Sequence, residues 1–175
     1  MEPEAQDAWV GKLLDEHQAR LMRYAWRLTR NADTARDVVQ EAFLRLCRQR
    51  PAEVAGHELA WLYRVCRQRA LDDCRKERRM SVLSRETAEN CPSPAPPPSA
   101  AAETADNSSQ LLELVARLSP QQQEVVRLKF TEGLKYREIA DVLGLTTSHV
   151  GVLIHTALKQ LRSQLAADLA QAAGD

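Results

Sequence analysis

The chain has 175 residues, of which 44% are hydrophobic and 27% charged. That length holds one or two small domains, and the composition excludes a fully disordered chain. Lys+Arg and Asp+Glu both number 24, but the charges are sorted. Residues 1–44 carry 6 bases and 8 acids, 45–80 carry 10 and 5, 81–111 carry 1 and 4, and 112–175 carry 7 of each. A basic block between acidic flanks is a candidate polyanion-binding surface that net charge alone hides. No apolar run nears the roughly 18 residues that a membrane span requires. The start, Met1-Glu2-Pro3-Glu4, lacks the basic and apolar parts of a signal peptide. A cytoplasmic protein with no membrane insertion is expected.

The first helix is marked by Leu13, Leu14, Leu21, Tyr24, Ala25 and Leu28 at helical spacing. Asn31 fits its end, and Asp33 is placed to cap the next start. From Asp33 to Arg48 the apolar set is Ala35, Val38, Val39, Ala42, Phe43 and Leu46. Pro51 and Gly56 bracket a loop. From Glu58 to Arg79 the apolar face is Leu59, Leu62, Val65, Cys66, Ala70 and Cys74, with arginines opposite. Residues 81–110 are rich in Pro, Ala and Ser and contain Pro96-Pro97-Pro98, which marks a flexible linker. A second module opens with a helix at Leu111 to Leu118. Ser119-Pro120 then starts another, with Ser as N-cap and Pro at the first helical position, running to about Phe130 before Gly133. A short helix from Tyr136 to Leu143, Gly144, and a long helix from about Thr147 to Leu169 complete the chain. No strand pattern of convincing length occurs.

Three segments carry chemistry. Residues 136–155, YREIADVLGLTTSHVGVLIH, fit a helix-turn-helix. Ala140 lets two helices cross closely, and Gly144 suits a turn needing positive φ. Ile139, Leu143, Leu145, Val150 and Leu153 supply the core, and Thr146-Thr147-Ser148 offers the cap of the second helix. That helix would enter a major groove by its N-terminal part. The second segment is the arginine-rich helix at 58–79, with Trp61 and Tyr63 at its start. Its cations suit phosphates, and exposed aromatics stack on unpaired bases; Trp61 itself reads first as core. The third is a polar helix start, Asp33, Asp37, Gln40 and Glu41, followed by Phe43-Leu44, which on its own is explained by the helix dipole. Cys47, Cys66, Cys74 and Cys91 show no metal-ligand spacing and read as ordinary thiols, three packed on helices and one in the linker. No nucleophile–base pair, phosphate loop or paired carboxylate is visible, so neither enzyme activity nor a cofactor or metal is expected.

Together, NADTARDVVQEAFLRLCRQ, ELAWLYRVCRQRALDDCRKERR and LSPQQQEVVRLKFTEGLKYREIADVLGL resemble, in order and spacing, the compact extracytoplasmic-function sigma factors of bacterial RNA polymerase. The resemblance implies an all-α fold of two small domains. Residues 1–80 would engage core polymerase and the −10 element, 81–110 would form a linker threading toward the RNA exit path, and 111–175 would dock on the β flap and read the −35 element. It implies that Asp37, Gln40, Glu41 and Leu44 bind the β′ clamp helices. The loop from about Arg50 to His57, with Trp61, Arg64, Arg67, Gln68, Arg75, Lys76 and Arg79, would hold and open −10 DNA. Thr147, Ser148, His149, Val152, His155 and Lys159 would read −35 DNA. An anti-sigma partner is also implied. The chain departs from the family pattern in three places. Gln68 stands where an Asn is usual, Cys47 where a Trp is frequent, and the family's basic residues after Val150 are replaced by Gly151-Val152-Leu153-Ile154-His155-Thr156. Two alternatives stay open at this level: a stand-alone helix-turn-helix regulator, and a sigma-like protein that binds a regulator without acting on promoters.

Overall fold

The computed structural model describes residues 3–83 and 105–172, all-helical apart from short connections, as two separate units. Most of the expected linker, with Cys91 and its proposed path, lies outside the described residues. Helices extend into both ends of that segment, to Leu83 and from Ala105.

The first unit packs α1 (Pro3–Thr29), α2 (Ala32–Cys47) and α4 (Glu58–Leu83) against one another, with α3 (Pro51–Val54) as one turn between α2 and α4. All six apolar positions expected on α2 are buried. They meet Leu21, Tyr24 and Ala25 of α1 and Leu62, Tyr63, Val65, Cys66 and Ala70 of α4. A fully buried Leu or Val side chain contributes about 1.5–3 kcal/mol. The α2 start differs from expectation: Asn31 is the cap. Its carboxamide oxygen accepts from the Asp33 and Thr34 amides at 2.9 and 3.0 Å. Asp33 lies inside the first turn, where it pairs with Arg36 at 3.2 Å. The stretch after Pro51 is a helical turn rather than open loop, because Pro at a first helical position forgoes no bond. The Gln6 side-chain amide donates to the carbonyls of Cys47 and Gln49, at 3.3 and 2.8 Å, and ties the start of α1 to the end of α2. The cysteines divide: Cys66 is buried and Cys74 half-buried, but Cys47 is exposed rather than packed.

The second unit contains α5 (Ala105–Ala116), α6 (Pro120–Val126), α7 (Tyr136–Leu143) and α8 (Thr147–Ala172). Ser119 and Gln122 form a reciprocal capping box, the Ser amide donating to Gln122 and the Gln122 amide to the Ser hydroxyl. α6 does not run on regularly to Phe130; Arg127–Thr131 form a π turn. The wider turn points Leu128 inward, and the Leu134 amide returns to the Leu128 carbonyl at 3.0 Å. Gly144 ends α7 with φ 68° and ψ 38°, the left-handed conformation that its position in the motif calls for. α8 buries Val150, Ile154 and Ala157; Leu145 and Leu153, expected in the core, are half-buried, and Val142 and Ile154 take the deeper places.

Candidate functional site

Three surfaces emerge from these elements. On α2 the six buried residues face inward, which leaves Asp37, Gln40 and Leu44 exposed and Glu41 half-buried on the outer face. Their spacing of three and four residues makes them neighbours. Leu44 is 48% exposed, an apolar side chain amid polar ones. Glu41 accepts from the Arg45 guanidinium at 2.7 Å, and that hydrogen bond holds its carboxyl below the usual carboxylate range.

On α4, Arg64, Gln68, Arg75, Lys76 and Arg79 are exposed, and Arg67 and Trp61 half-buried. Two of the helix's acids pair with its own arginines, Asp73 with Arg69 at 3.1 Å and Asp72 with Arg75 at 3.2 Å. The latter pair is exposed on both sides and so contributes at most about 1 kcal/mol, which leaves Arg75 available to a phosphate. Tyr63 corrects the sequence reading. It is fully buried, edge-on to Tyr24 with ring centroids 4.9 Å apart, and no base reaches it. Trp61 is the aromatic of this helix start with accessible surface.

On α8, Ser148, Val152, His155 and Lys159 form an exposed stripe opposite the buried Val150, Ile154 and Ala157; Thr147 and His149 flank it, also exposed. Val152 is 62% exposed. Of the three hydroxyls at the start, Thr146 is the cap, its Oγ1 accepting from the His149 amide at 3.2 Å, so Thr147 and Ser148 are left to face outward. From Thr147 to Leu158 the helix has no Lys, Arg, Asp or Glu. Positive charge begins at Lys159 and Arg162, which with His155 and Leu158 line a shallow concavity.

Sequence reasoning missed two features. The ring of Tyr136, at the start of α7, lies against α8 at Gly151, where an added Cβ would sit 3.8 Å from Cε2. The Lys129 ammonium lies 5.3 Å from the same ring. The second feature is a group of arginines on and just after the second half of α1. Its signal is a run without acids, from His17 to Ala32, that holds Arg20, Arg23, Arg27 and Arg30.

Comparison with known proteins places both halves. The family models for sigma-70 region 2 and sigma-70 region 4 match residues 13–80 and 108–161. The chain is 33% identical over 164 residues to the ECF RNA polymerase sigma factor SigL of Mycobacterium tuberculosis, covering 92% of this chain and 91% of SigL. It is 29% identical over 154 residues to the RNA polymerase sigma factor SigV of Bacillus subtilis, covering 87% and 88%. Its fold is similar to that of the sigma factor RpoE from Bartonella quintana, solved in complex with the anti-sigma factor NepR. There the TM-score is 0.66 and the identity 21%, over 90% of this chain and 97% of that one. CnrH, solved in complex with the cytosolic domain of CnrY, gives a TM-score of 0.56 at 23% identity.

Proposed function

The chain belongs to the extracytoplasmic-function sigma factors of RNA polymerase, and on that premise we propose which residues carry the work. As a sigma factor it directs core polymerase to promoters and takes part in initiation. In this reading it acts through binding alone, in the cytoplasm, and an anti-sigma protein holds it in check. Among the described residues no helix is long and apolar enough to cross a membrane.

Asp37, Gln40, Glu41 and Leu44 form the contact for the β′ clamp helices: a polar rim around one exposed leucine on a rigid, fully packed helix. Trp61, Arg64, Arg67, Gln68, Arg75, Lys76 and Arg79 hold −10 DNA. The cations contact phosphates, and Trp61 offers its accessible ring to an unstacked base. Trapping such bases favours the melted state, so opening draws on binding energy and requires no hydrolysis. Thr147, Ser148, His149, Val152, His155 and Lys159 read the −35 element. With no cation in the first three turns of α8, discrimination there rests on hydroxyl, imidazole and methyl contacts to base edges.

The observation that carries this reading is the pairing, in one chain and in the family's order, of the α2 outer face with the exposed stripe of α8. Two measurements test it. Replacing Arg75, Lys76 and Arg79 with Ala is expected to flatten the salt dependence of holoenzyme–promoter binding by roughly 0.7–0.9 per lost contact. An unchanged slope would make them a solvated face. His155→Ala is expected to lower −35 selectivity by an amount equivalent to about 1–3 kcal/mol. An unchanged ratio of transcription from intact and −35-scrambled promoters would remove His155 from the readers.

A further inference from the structure

The start of α8 carries an apolar side chain where a DNA-reading helix commonly carries hydrogen-bonding ones. Residues 147–158 read TSHVGVLIHTAL, with no Lys, Arg, Asn, Gln, Asp or Glu. Those six types make the strongest hydrogen-bonded base contacts of the major groove: Arg and Lys to guanine, Asn and Gln to adenine, Asp and Glu to cytosine. Hydroxyl, imidazole and aliphatic surface remain. Val150, Ile154 and Ala157 are buried within the unit, and Leu153 and Leu158 are half-buried. Val152 is the large aliphatic side chain of this stretch that stays outside, 62% exposed. Leu165, also exposed, lies more than three turns further along.

A single exposed valine is ordinary on a protein surface, so its place has to decide the matter. α8 follows the left-handed Gly144 turn, and the second helix of such a unit enters the major groove by its N-terminal part. Val152 lies five residues into α8, about 7.5 Å along its axis at 1.5 Å per residue. Ser148 is four residues before it and His155 three after it. Both are exposed, so the three share one face with the valine in the middle. Thr156, the next hydroxyl along, donates to the Val152 carbonyl and is taken up by the helix's own backbone. Nor does the valine serve the helix itself: a β-branched residue is a weaker helix former than Ala, and outside the core no packing offsets that. An aliphatic surface at this position matches one feature of the groove. Thymine presents a C5-methyl group there, where cytosine has only hydrogen and the purines present hydrogen-bonding atoms.

We propose that Val152 reads a thymine of the −35 element by packing against its C5-methyl group in the major groove, so that the base pair facing the middle of this stretch is A·T. This inference rests on the sigma-factor reading and on α8 as the −35 helix. It gives a helix without the usual guanine and adenine readers a means of choice: the methyl separates T·A from C·G and, by the strand that carries it, from A·T in the other orientation. Ser148 and His155 add polar contacts on either side.

The test uses holoenzyme reconstituted from core polymerase and the full chain, on a promoter fragment that the chain itself selects in run-off transcription. Each thymine of the −35 element is replaced in turn by deoxyuridine, which removes the methyl and keeps base pairing and phosphates. Binding is measured for the unsubstituted chain and for V152A. At one thymine the replacement should weaken binding by the unsubstituted chain about fourfold, the worth of one buried methyl group. V152A should bind the thymine duplex several-fold more weakly and show no further loss with deoxyuridine, because both changes remove the same contact. Neither change touches a phosphate, so the slope of log affinity against log salt should stay the same throughout. Ala at an exposed helical position keeps the fold, and circular dichroism and core-polymerase affinity check that. The proposal is overturned by a selected −35 element without an A·T pair, by indifference to every deoxyuridine, or by a deoxyuridine effect that persists in V152A and so belongs to another residue. A shallower salt slope in V152A also overturns it, since the loss would then come from phosphates through a shifted helix. A scrambled −35 element that binds as well as the intact one overturns α8 as the −35 helix. Absence of core-dependent promoter binding by the unsubstituted chain overturns the sigma-factor reading itself, and with it this proposal.

Discussion

Gly151 is a sharp point of attack because the structure separates its two effects. It lies inside α8, half-buried, with ordinary helical backbone, since its φ is not among the positive ones. A Cβ built there meets only Tyr136 Cε2 at 3.8 Å, an ordinary van der Waals contact. Nothing has to move for Gly151→Ala. The substitution removes the cost of a mid-helix glycine, about 1 kcal/mol relative to Ala. It also adds one methyl against a ring, worth a few tenths of a kcal/mol. Hydrogen exchange reads this directly: protection of α8 amides that open with the second unit should rise at least roughly fivefold. Gly151→Arg keeps the same Cβ and restores a cation beside the reading stripe. Its holoenzyme should show a salt slope on promoter DNA steeper by about 0.9, while Gly151→Ala leaves the slope unchanged. Lower protection in the Ala variant would mean that Tyr136 requires bare backbone beneath its ring, and the packing argument would fail. An unchanged slope for the Arg variant would mean that this side of α8 does not run along DNA.

Other expectations follow from single features. Asp37→Arg should weaken binding of core polymerase in a fluorescence titration without loss of helicity, whereas equal affinity would detach the α2 outer face from the polymerase. Ser119→Ala removes one half of the capping box and should cost the second unit about 1 kcal/mol in calorimetry. Cys66 is buried, and burial pushes its thiol up to about 12. At pH 8 exposed Cys47 should take an alkylating reagent while Cys66 stays unmodified until the unit unfolds, which peptide mass spectrometry resolves. His17 is lowered from its usual value, chiefly by desolvation, so the folded state disfavours its charged form. The unfolded chain then binds more protons as pH falls through about 6.5. Stability should be complete above that value and decline below it, and His17→Gln should flatten the decline in denaturant titrations.

Much of this was legible because period and punctuation agree. The α2 face came through whole: Ala35, Val38, Val39, Ala42, Phe43 and Leu46 repeat at helical spacing, and all six are buried. Ser119-Pro120 and Gly144 have few conformational options, and both adopt the expected ones. Failures cluster where two side chains compete for one role. Asn31 and Asp33 are both good caps, and only chain direction after α1 decides that Asn31 serves. Tyr63 fits a core or a stacking surface equally well; its meeting with Tyr24, thirty-nine residues earlier in the chain, settles the matter. The π turn at Arg127–Thr131 leaves no local signature, since it answers to the burial of Leu128 and Leu134 together. Of the site, the outer face of α2 and the stripe of α8 were readable as residues left over from amphipathic patterns. The arginines on and after α1 escaped because a single arginine on a helix surface is unremarkable by itself.

As a sigma factor, this chain makes core polymerase start at chosen promoters. Run-off transcription on a genomic library with core polymerase, with and without the chain, tests it in one step. Discrete transcripts that appear only when both are present, from templates sharing upstream elements that abolish the transcripts when scrambled, are the predicted result. Core polymerase that binds the chain yet yields no chain-dependent start site would contradict it.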